Sequence, residues 1–224
     1  MSPRVHLILS QKGGVGKTTL AVNLAAVVAR TLGSDPAEPT VLVASIDPQA
    51  SAVWWAERTN LDTLPFDFEQ MDDDAHEVAK LGDRDEYEHI FVDAPGSLAR
   101  PAVLARAMDA ATDVVVPMNL EPLAYAPTEK TVLDLIKPRN LPYRVVRNIW
   151  DRRDGRSELD ATTKWLDGQN LLYTNTVVRR FKMHTTASAE GRVCTQYPPG
   201  RTAAEATNDF LHLALELGYG GRAA

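Results

Sequence analysis

The chain has 224 residues, of which 44% are hydrophobic and 24% charged, with a formal net charge of −6. This composition is typical of a globular protein, and we expect one domain over residues 1–224. The single cysteine, Cys194, excludes an internal disulfide framework and a multi-cysteine metal site within one chain. No apolar stretch approaches the roughly 20 residues of a membrane-spanning helix, and the first predicted strand begins too early for a signal peptide, so we expect a cytoplasmic protein.

Short β-rich runs alternate with longer helical patterns along the chain. The predicted strands span residues 5–9, 40–46, 66–69, 89–92, 113–116, 143–149 and 172–178. The predicted helices span residues 17–31, 52–58, 74–80, 101–111, 127–136, 157–169 and 201–217. This alternation predicts an α/β fold, with a mostly parallel twisted sheet and helices on both of its faces.

A glycine-rich segment follows the first predicted strand. Residues 11–19 read Gln-Lys-Gly-Gly-Val-Gly-Lys-Thr-Thr. A turn of this kind between a strand and a helix directs backbone N–H groups and a helix N-terminus at a phosphate, and the glycines permit the close approach. Lys17 is expected to contact the β- and γ-phosphates, and Thr18 to offer its hydroxyl to Mg²⁺. The candidate nucleotide-binding residues are Gly13, Gly14, Val15, Gly16, Lys17, Thr18 and Thr19.

A second lysine, Lys12, stands near the start of this loop. Phosphate binding within one chain does not require it, because Lys17 already supplies a charge. The string Lys-Gly-Gly-Val-Gly-Lys-Thr-Thr resembles the deviant Walker A motif of the ParA/MinD superfamily of P-loop ATPases. The resemblance implies that the protein binds ATP and Mg²⁺, that the ATP-bound form is a homodimer, and that Lys12 reaches the partner's nucleotide. The alternative is that Lys12 is a solvated surface lysine.

Two aspartates are expected beside the phosphate-binding loop. Asp93 closes an apolar strand and precedes Ala-Pro-Gly-Ser, which is the place for a carboxylate that holds Mg²⁺ directly or through water. Residues 94–96 resemble the family's switch II, which responds to the γ-phosphate. The alternative is that Asp93 caps the helix that begins near Pro101.

The second aspartate, Asp47, lies in the segment Ile-Asp-Pro-Gln-Ala-Ser. This segment is similar to switch I of ParA-like proteins, and the similarity implies that Asp47 orients the attacking water and contributes to the Mg²⁺ shell. Many relatives carry another aspartate two residues earlier, where this chain has Ser45. Asp47 as a plain Asp-Pro turn residue is the alternative.

The resemblance extends beyond the loop. Residues 52–58, with Trp54 and Trp55, resemble the tryptophan-bearing helix of short plasmid-partition ATPases that lack an N-terminal helix-turn-helix domain, and we expect this pair to pack rather than to take part in chemistry. Residues 118–127 and 144–148 occupy the places where the family builds its adenine pocket and dimer contacts. Because the first strand begins early, any DNA binding is expected from the ATPase domain itself.

The charges are unevenly distributed along the chain. Residues 137–201 contain 13 Lys and Arg against 6 Asp and Glu, so the remainder is strongly acidic. A basic region of this kind is typical of phosphate-backbone binding, and its alternative is an ordinary solvated charge cluster. The positions that resemble nonspecific DNA contacts of ParA dimers are Arg179, Arg180, Lys182, Arg192 and Arg201.

The sequence therefore predicts a partner-stimulated ATPase that binds nucleoid DNA as an ATP-bound dimer. Lys12, Lys17 and Asp47 are its candidate catalytic residues, and Thr18, Asp47 and Asp93 its candidate metal ligands. Plasmid or chromosome segregation is the first expectation for the cargo, and positioning of a carboxysome or chemoreceptor cluster is the alternative.

The sequence disfavours three other functions known for this fold: a membrane switch, an iron–sulfur carrier and a small-molecule kinase or ligase. A MinD-like membrane switch needs a basic amphipathic C-terminal helix, whereas residues 201–217 carry Glu205, Asp209 and Glu216 against one arginine. An iron–sulfur carrier needs paired cysteines. A small-molecule kinase or ligase of the same fold is a further alternative, against which Lys12 argues.

Overall fold

The computed structural model describes residues 2–48, 51–59, 63–71, 75–96 and 100–220. Within these ranges seven parallel strands form one sheet in the order β3-β2-β4-β1-β5-β6-β7. The strands are β1 (Arg4–Ile8), β2 (Val41–Ser45), β3 (Asp67–Gln70), β4 (His89–Asp93), β5 (Asp113–Met118), β6 (Tyr143–Trp150) and β7 (Tyr173–Arg179). The predicted α/β class and all seven predicted strands are confirmed.

Helices connect the strands. They are α1 (Lys17–Leu32), α2 (Ser51–Ala56), α3 (Ala75–Ala79), α4 (Pro101–Ala110), α5 (Tyr125–Lys130), α6 (Ser157–Gly168), α7 (Lys182–Glu190) and α8 (Arg201–Glu216). The predicted helix 127–136 is α5 followed by a π-helical turn over Thr131–Ile136. The sequence analysis missed α7, because its mostly polar residues form no apolar stripe. Its one buried residue is Ala187.

The sheet is covered on both faces. One hydrophobic cluster contains buried residues of α3, α4 and α6, and the other contains buried residues of α1, α2, α7 and α8. Strand β2 contributes Leu42 and Ala44 to the first cluster, and Val41 and Val43 to the second. The continuous apolar runs predicted as strands are explained by this double coverage.

The topology places the carboxyl end of β1 at the centre of the molecule. Strand β1 pairs with β4 on one side and β5 on the other. The connection after β1 leads to β2 on one side of the sheet, and the connection after β4 leads to β5 on the other side. Where neighbouring strands are followed by connections in opposite directions, a crevice opens at the carboxyl ends of the strands. The loop after β1 therefore begins at the point where a ligand crevice is expected. In the described ranges, no helix combines the length and apolar character needed to cross a membrane.

Candidate nucleotide-binding site

The loop between β1 and α1 has the backbone that its glycines permit. Gly14 and Gly16 adopt left-handed conformations, with φ of 73° and 82°. A Cβ on Gly16 would lie 2.7 Å from Nδ2 of Asn148. Any side chain at Gly16 would therefore be strained and would collide with the end of β6.

Side chains from distant strands and helices hold this loop in place. Asn148 is buried and donates from Nδ2 to the Val15 carbonyl oxygen at 2.7 Å. The backbone N–H of Gln11 donates to Oγ1 of Thr131 at 3.1 Å. Sequence reasoning missed the roles of Asn148 and Thr131, because a contact across more than a hundred residues leaves no local pattern.

A cavity of about 680 Å³ opens over the loop. Its lining residues are Gly13, Gly14, Gly16, Lys17, Thr18, Thr19, Asp47, Pro48, Trp54, Trp55, Pro95, Gly96 and Ser188. The candidate nucleotide-binding residues are thus gathered at one cavity, except that the side chain of Val15 is buried beneath the loop. The cavity also takes in α2, through its tryptophans, and α7, through Ser188.

Lys17 lines the cavity beside Pro95 and Gly96. Its Nζ donates to the Lys12 carbonyl oxygen at 3.4 Å. A Cβ on Gly96 would lie 3.2 Å from the same Nζ, so a glycine lets this segment approach the loop closely. Burial lowers the pKa of Lys17, while the nearby charges of Asp93 and Asp47 raise it. An anionic phosphate would offset the unfavourable burial of this ammonium group.

Asp93 and Thr18, two of the predicted metal ligands, lie together in the site. Thr18 Oγ1 donates to Asp93 Oδ2 at 2.7 Å, whereas Asp93 Oδ1 and the buried Ser45 Oγ have no hydrogen-bond partner among the described residues. Burial raises the pKa of Asp93 to about 7, with a further increase from Asp47 and decreases from the Thr18 hydrogen bond and Lys17. A buried carboxylate oxygen without a partner, beside a threonine hydroxyl, fits Mg²⁺ held jointly with nucleotide phosphates.

Among the residues that the structure describes, other acidic groups do not form a metal cage around this point. Within the described ranges, no group of three or more His, Cys, Asp and Glu side chains could hold a metal ion. Asp47 lines the same cavity and influences the pKa values of both Lys17 and Asp93. Its backbone carbonyl accepts a 3.4 Å hydrogen bond from Gln70 Nε2, which ties the segment after β2 to the end of β3.

Lys12 contacts its own chain. Its Nζ donates to Asn119 Oδ1 and to Glu121 Oε2, each at 3.2 Å. Both acceptors follow β5, and 19% of the Lys12 side chain is exposed. Lys12 is therefore held by its own chain in this conformation, and reaching a partner's nucleotide would require Lys12 to leave these acceptors.

The five candidate DNA contacts differ in their surroundings. Arg180, Lys182 and Arg192 are exposed. Arg201 is 89% exposed and its guanidinium pairs with Glu205 at 3.0 Å. Within the described part of the chain, Arg180, Lys182 and Arg192 have no ion pair or side-chain hydrogen bond. Because the guanidinium of Arg192 lies 5.7 Å from the centre of the Tyr197 ring, Arg180 and Lys182 are the two with no side-chain partner among the described residues.

Arg179 requires a correction. Its Nη2 donates to Asp209 Oδ1 at 2.7 Å, its Nε bonds both oxygens of that carboxylate, and its Nη1 pairs with Glu205 at 3.1 Å. Its side chain is 18% exposed. We therefore remove Arg179 from the candidate DNA contacts, because the donors that would bind phosphate already bind carboxylates.

Cys194 is buried, as expected for a small apolar residue. Burial raises the pKa of its thiol to about 12, so the reactive thiolate is suppressed.

The comparisons with known proteins agree with this geometry. Residues 6–197 match the CobQ/CobB/MinD/ParA nucleotide binding domain. The chain belongs to the ParA/MinD family of nucleotide-binding ATPases. A family relative, maintenance of carboxysome distribution protein A from Gloeobacter kilaueensis, is 35% identical over 215 residues, which are 96% of this chain and 94% of that protein.

Solved structures of the family share the fold. The septum site-determining protein MinD of Pyrococcus horikoshii, complexed with Mg-ADP, aligns with a TM-score of 0.73 at 20% identity, covering 96% of this chain and 97% of that chain. A putative plasmid partition protein of Borrelia burgdorferi bound to AMPPNP aligns with a TM-score of 0.69 at 17% identity, covering 96% and 100%.

Proposed function

We propose that this protein is an ATP-dependent dimerising ATPase that binds DNA without sequence preference and positions a cargo. The observation that carries the proposal is the loop that holds two lysines, with Lys17 in the wall of the cavity and Lys12 beside the end of β5. A single lysine is enough for phosphate binding, so the second, once released from Asn119 and Glu121, would serve a nucleotide in another subunit.

The proposed reaction is attack of water on the γ-phosphorus of ATP, with cleavage of the bond to the β–γ bridging oxygen and departure of ADP. Bound Mg²⁺ would neutralise charge on the β- and γ-phosphates, and Thr18 and Asp93 would hold it. Lys17, with Lys12 of the other subunit, would stabilise charge on the transferred phosphoryl group. Asp47 would orient the attacking water.

For the cargo, a protein assembly has the stronger support. The relative at 35% identity is named for carboxysome distribution, whereas the plasmid partition protein shares the fold at 17% identity. Segregation of a plasmid or chromosome is the second candidate. Deleting the gene distinguishes them, because a protein-positioning role predicts clumped assemblies with normal plasmid retention, and a segregation role predicts plasmid or chromosome loss.

The dimer is tested at Lys12. We expect Lys12→Ala to keep ATP binding but to lose dimerisation with a nonhydrolysable ATP analogue, measured by light scattering, together with ATP hydrolysis. Glu121→Gln is the matched control, because it weakens the intrachain contact of Lys12 while leaving the lysine in place. This control should dimerise at least as well as the unmodified protein. A stable Lys12→Ala dimer would contradict the cross-subunit role.

A further inference from the structure

Three polar side chains form one row across the carboxyl ends of neighbouring strands. Gln70 of β3 and Asp93 of β4 are both register partners of Ser45 in β2. Side chains alternate between the two faces of a strand, so register partners in a parallel sheet lie on the same face. The residues two positions earlier in these strands all pack in the hydrophobic cluster that contains α1, and they are Phe68, Val43 and Phe91. The three side chains, here named the polar row, therefore share the α1 face of the sheet.

Each member of the polar row has a buried oxygen atom with no hydrogen-bond partner among the described residues. The atoms are Oε1 of Gln70, Oγ of Ser45 and Oδ1 of Asp93. Ser45 is 1% exposed and Asp93 is fully buried. Buried polar atoms in proteins are nearly always hydrogen-bonded, so three such oxygens in one row indicate a site that another molecule completes.

The other polar atoms of the row are already bonded. Asp93 Oδ2 accepts a hydrogen bond from Thr18 Oγ1 at 2.7 Å. Gln70 Nε2 donates to the Asp47 carbonyl oxygen at 3.4 Å. Because a carbonyl oxygen only accepts, the Gln70 amide must present Nε2 to it, which leaves Oε1 for the row. The polar row thus joins a predicted metal ligand at one end to the Asp47 backbone at the other.

The polar row has too few donors to satisfy itself. A carboxylate oxygen and an amide oxygen only accept hydrogen bonds, and the Ser45 hydroxyl supplies one proton. That proton can reach only one of the two neighbouring acceptors, so the row requires donors from another molecule. Neighbouring strands lie about 4.8 Å apart, a gap that one water spans with two hydrogen bonds of about 2.8 Å each. Water therefore fits both the spacing and the shortage of donors.

The space beside the row has room for water. A cavity of about 260 Å³ lies between α2 and the edge strand β3, and both Ser45 and Gln70 line it. A buried water needs a small fraction of this volume, together with two to four polar partners. Ser45 does not line the nucleotide cavity, so it has no direct access to a nucleotide there.

We propose that the polar row is a water-binding site, with one water between Asp93 Oδ1 and Ser45 Oγ and a second between Ser45 Oγ and Gln70 Oε1. Ser45 and Gln70 are thereby positioning residues, which hold the Asp93 carboxylate in place for Mg²⁺ and link it to the Asp47 carbonyl oxygen. The inference rests on the proposed function, because that function places Mg²⁺ beside Asp93. Ser45 acts on metal affinity through Asp93 and leaves the affinity for the metal-free nucleotide unchanged.

Titration with ADP tests the row without hydrolysis and without the ATP-bound dimer. Calorimetry gives the Kd of ADP in EDTA and in excess Mg²⁺, and the ratio of the two measures what the metal contributes. We expect Ser45→Ala to keep the affinity in EDTA and to reduce this ratio roughly tenfold, because loss of a partner that orients a metal ligand weakens metal binding. A merely structural role of Ser45 would weaken binding equally in both solutions.

Three further variants serve as controls and as a graded test. Ser45→Thr retains the hydroxyl, and the adjoining cavity has room for the added methyl group, so the ratio should be restored. Thr40→Val removes another buried hydroxyl that has no partner among the described residues, at the opposite end of β2, and should leave the ratio unchanged. Gln70→Met removes the far end of the row and should reduce the ratio less, by roughly threefold.

A crystal structure of the Mg-ADP complex supplies a direct readout. A water within hydrogen-bond distance of both Ser45 Oγ and Asp93 Oδ1 is expected in the unmodified protein and should be missing from Ser45→Ala. A direct hydrogen bond between the two side chains would overturn the water site. A monovalent cation at this position, identified by the anomalous signal of Rb⁺ after soaking, would overturn the assignment to water.

The outcomes separate this inference from the proposed function. An unchanged ratio in Ser45→Ala, while Mg²⁺ still strengthens ADP binding by the unmodified protein, would overturn the role of the polar row alone. If Mg²⁺ leaves the ADP affinity of the unmodified protein unchanged, the metal site of the proposed function and the role of the row both fail. Absence of ATP-driven dimerisation, with the expected ratios observed, would overturn the dimerising ATPase and leave the polar row in place.

Discussion

The two edges of the sheet carry opposite charge. Residues 57–88, here named the acidic flank, include the edge strand β3 and hold 12 acidic residues against 3 Lys and Arg. Residues 137–201, the basic flank, include β6 and the edge strand β7 and hold 13 Lys and Arg against 6 acidic residues. A net charge of −6 conceals this separation, which would let one face bind a polyanion while the other repels it.

Charged side chains within one flank also differ in whether they are already paired. In the basic flank, Arg179 is bound by carboxylates, whereas Arg180 and Lys182 face solvent. The flanks meet where Gln196 Nε2 donates to Thr63 Oγ1 at 3.3 Å. The net charge of a segment therefore indicates which side of the protein would attract a polyanion. The hydrogen-bond and ion-pair partners of each side chain decide whether that side chain can bind one.

The largest effect is expected where the flanks touch. Gly191 has a φ of 62°, and a Cβ there would overlap the Arg58 carbonyl oxygen. Gly191→Ala should lower the free energy of unfolding by about 4 kcal/mol, from backbone strain plus the collision. Gly33→Ala is the control, because its φ of 69° gives the strain with no neighbour within 4 Å, and about 1 kcal/mol is expected. Urea unfolding measures the free energy of unfolding of both variants. Equal decreases would show that the contact between Gly191 and the Arg58 carbonyl oxygen leaves enough room for a Cβ.

The second-largest effect is expected on DNA affinity, which should depend on the basic flank and not on the acidic flank. Arg180→Glu combined with Lys182→Glu should weaken binding of the ATP-bound dimer to duplex DNA by roughly 100-fold at physiological salt, equally for unrelated sequences. The slope of log affinity against log salt should become shallower by roughly two to four units. Fluorescence anisotropy over a salt series measures both quantities.

The control for that experiment changes the net charge equally outside the basic flank. Lys80→Glu combined with Arg106→Glu should retain most of the DNA affinity and the unmodified salt slope. Similar losses in the two double variants would mean that net charge, rather than a DNA-binding face, governs the interaction.

Within the basic flank, the neighbouring residues Arg179 and Arg180 should contribute differently to the free energy of unfolding. Arg179→Ala leaves Asp209, whose side chain is 9% exposed, without its main partner, and should lower the free energy of unfolding by about 2 kcal/mol. Arg180→Ala should change it by less than about 0.5 kcal/mol, because its side chain is exposed. Thermal unfolding of the two variants tests this contrast, which the reverse order would refute.

The smallest effect concerns the edge of β7. Glu216 accepts hydrogen bonds from the Asn175 and Thr176 backbone N–H groups, the latter at 2.8 Å. Partial burial raises the pKa of Glu216, but these hydrogen bonds outweigh it, so the pKa lies below the usual 4.5. The carboxylate therefore stabilises the fold above pH 4.5, and this contribution is lost as the pH falls below that value.

Glu216→Gln should lower the free energy of unfolding at pH 7 by about 1 kcal/mol or less, since the site is partly exposed. The variant and the unmodified protein should converge in acid. Unfolding curves between pH 3 and pH 7 would reveal this, and a constant difference across that range would argue against the charge of Glu216 as the cause.

The sequence by itself determined the sheet and the phosphate-binding loop. The apolar run of residues 41–44 favours a strand covered on both faces, and the left-handed backbone at Gly14 and Gly16 favours glycine. These features depend on residues close together in the chain, so their pattern is visible without the fold.

Tertiary structure alone decided which side chains meet. Asn148 supports Val15 across 133 residues, and Asp209 occupies Arg179 across 30. The helix α7 has too few apolar residues to be recognised, yet it packs against α2 and brings Ser188 to the nucleotide cavity. Contacts between distant residues arise from the packing of whole elements, so composition and spacing do not encode them locally.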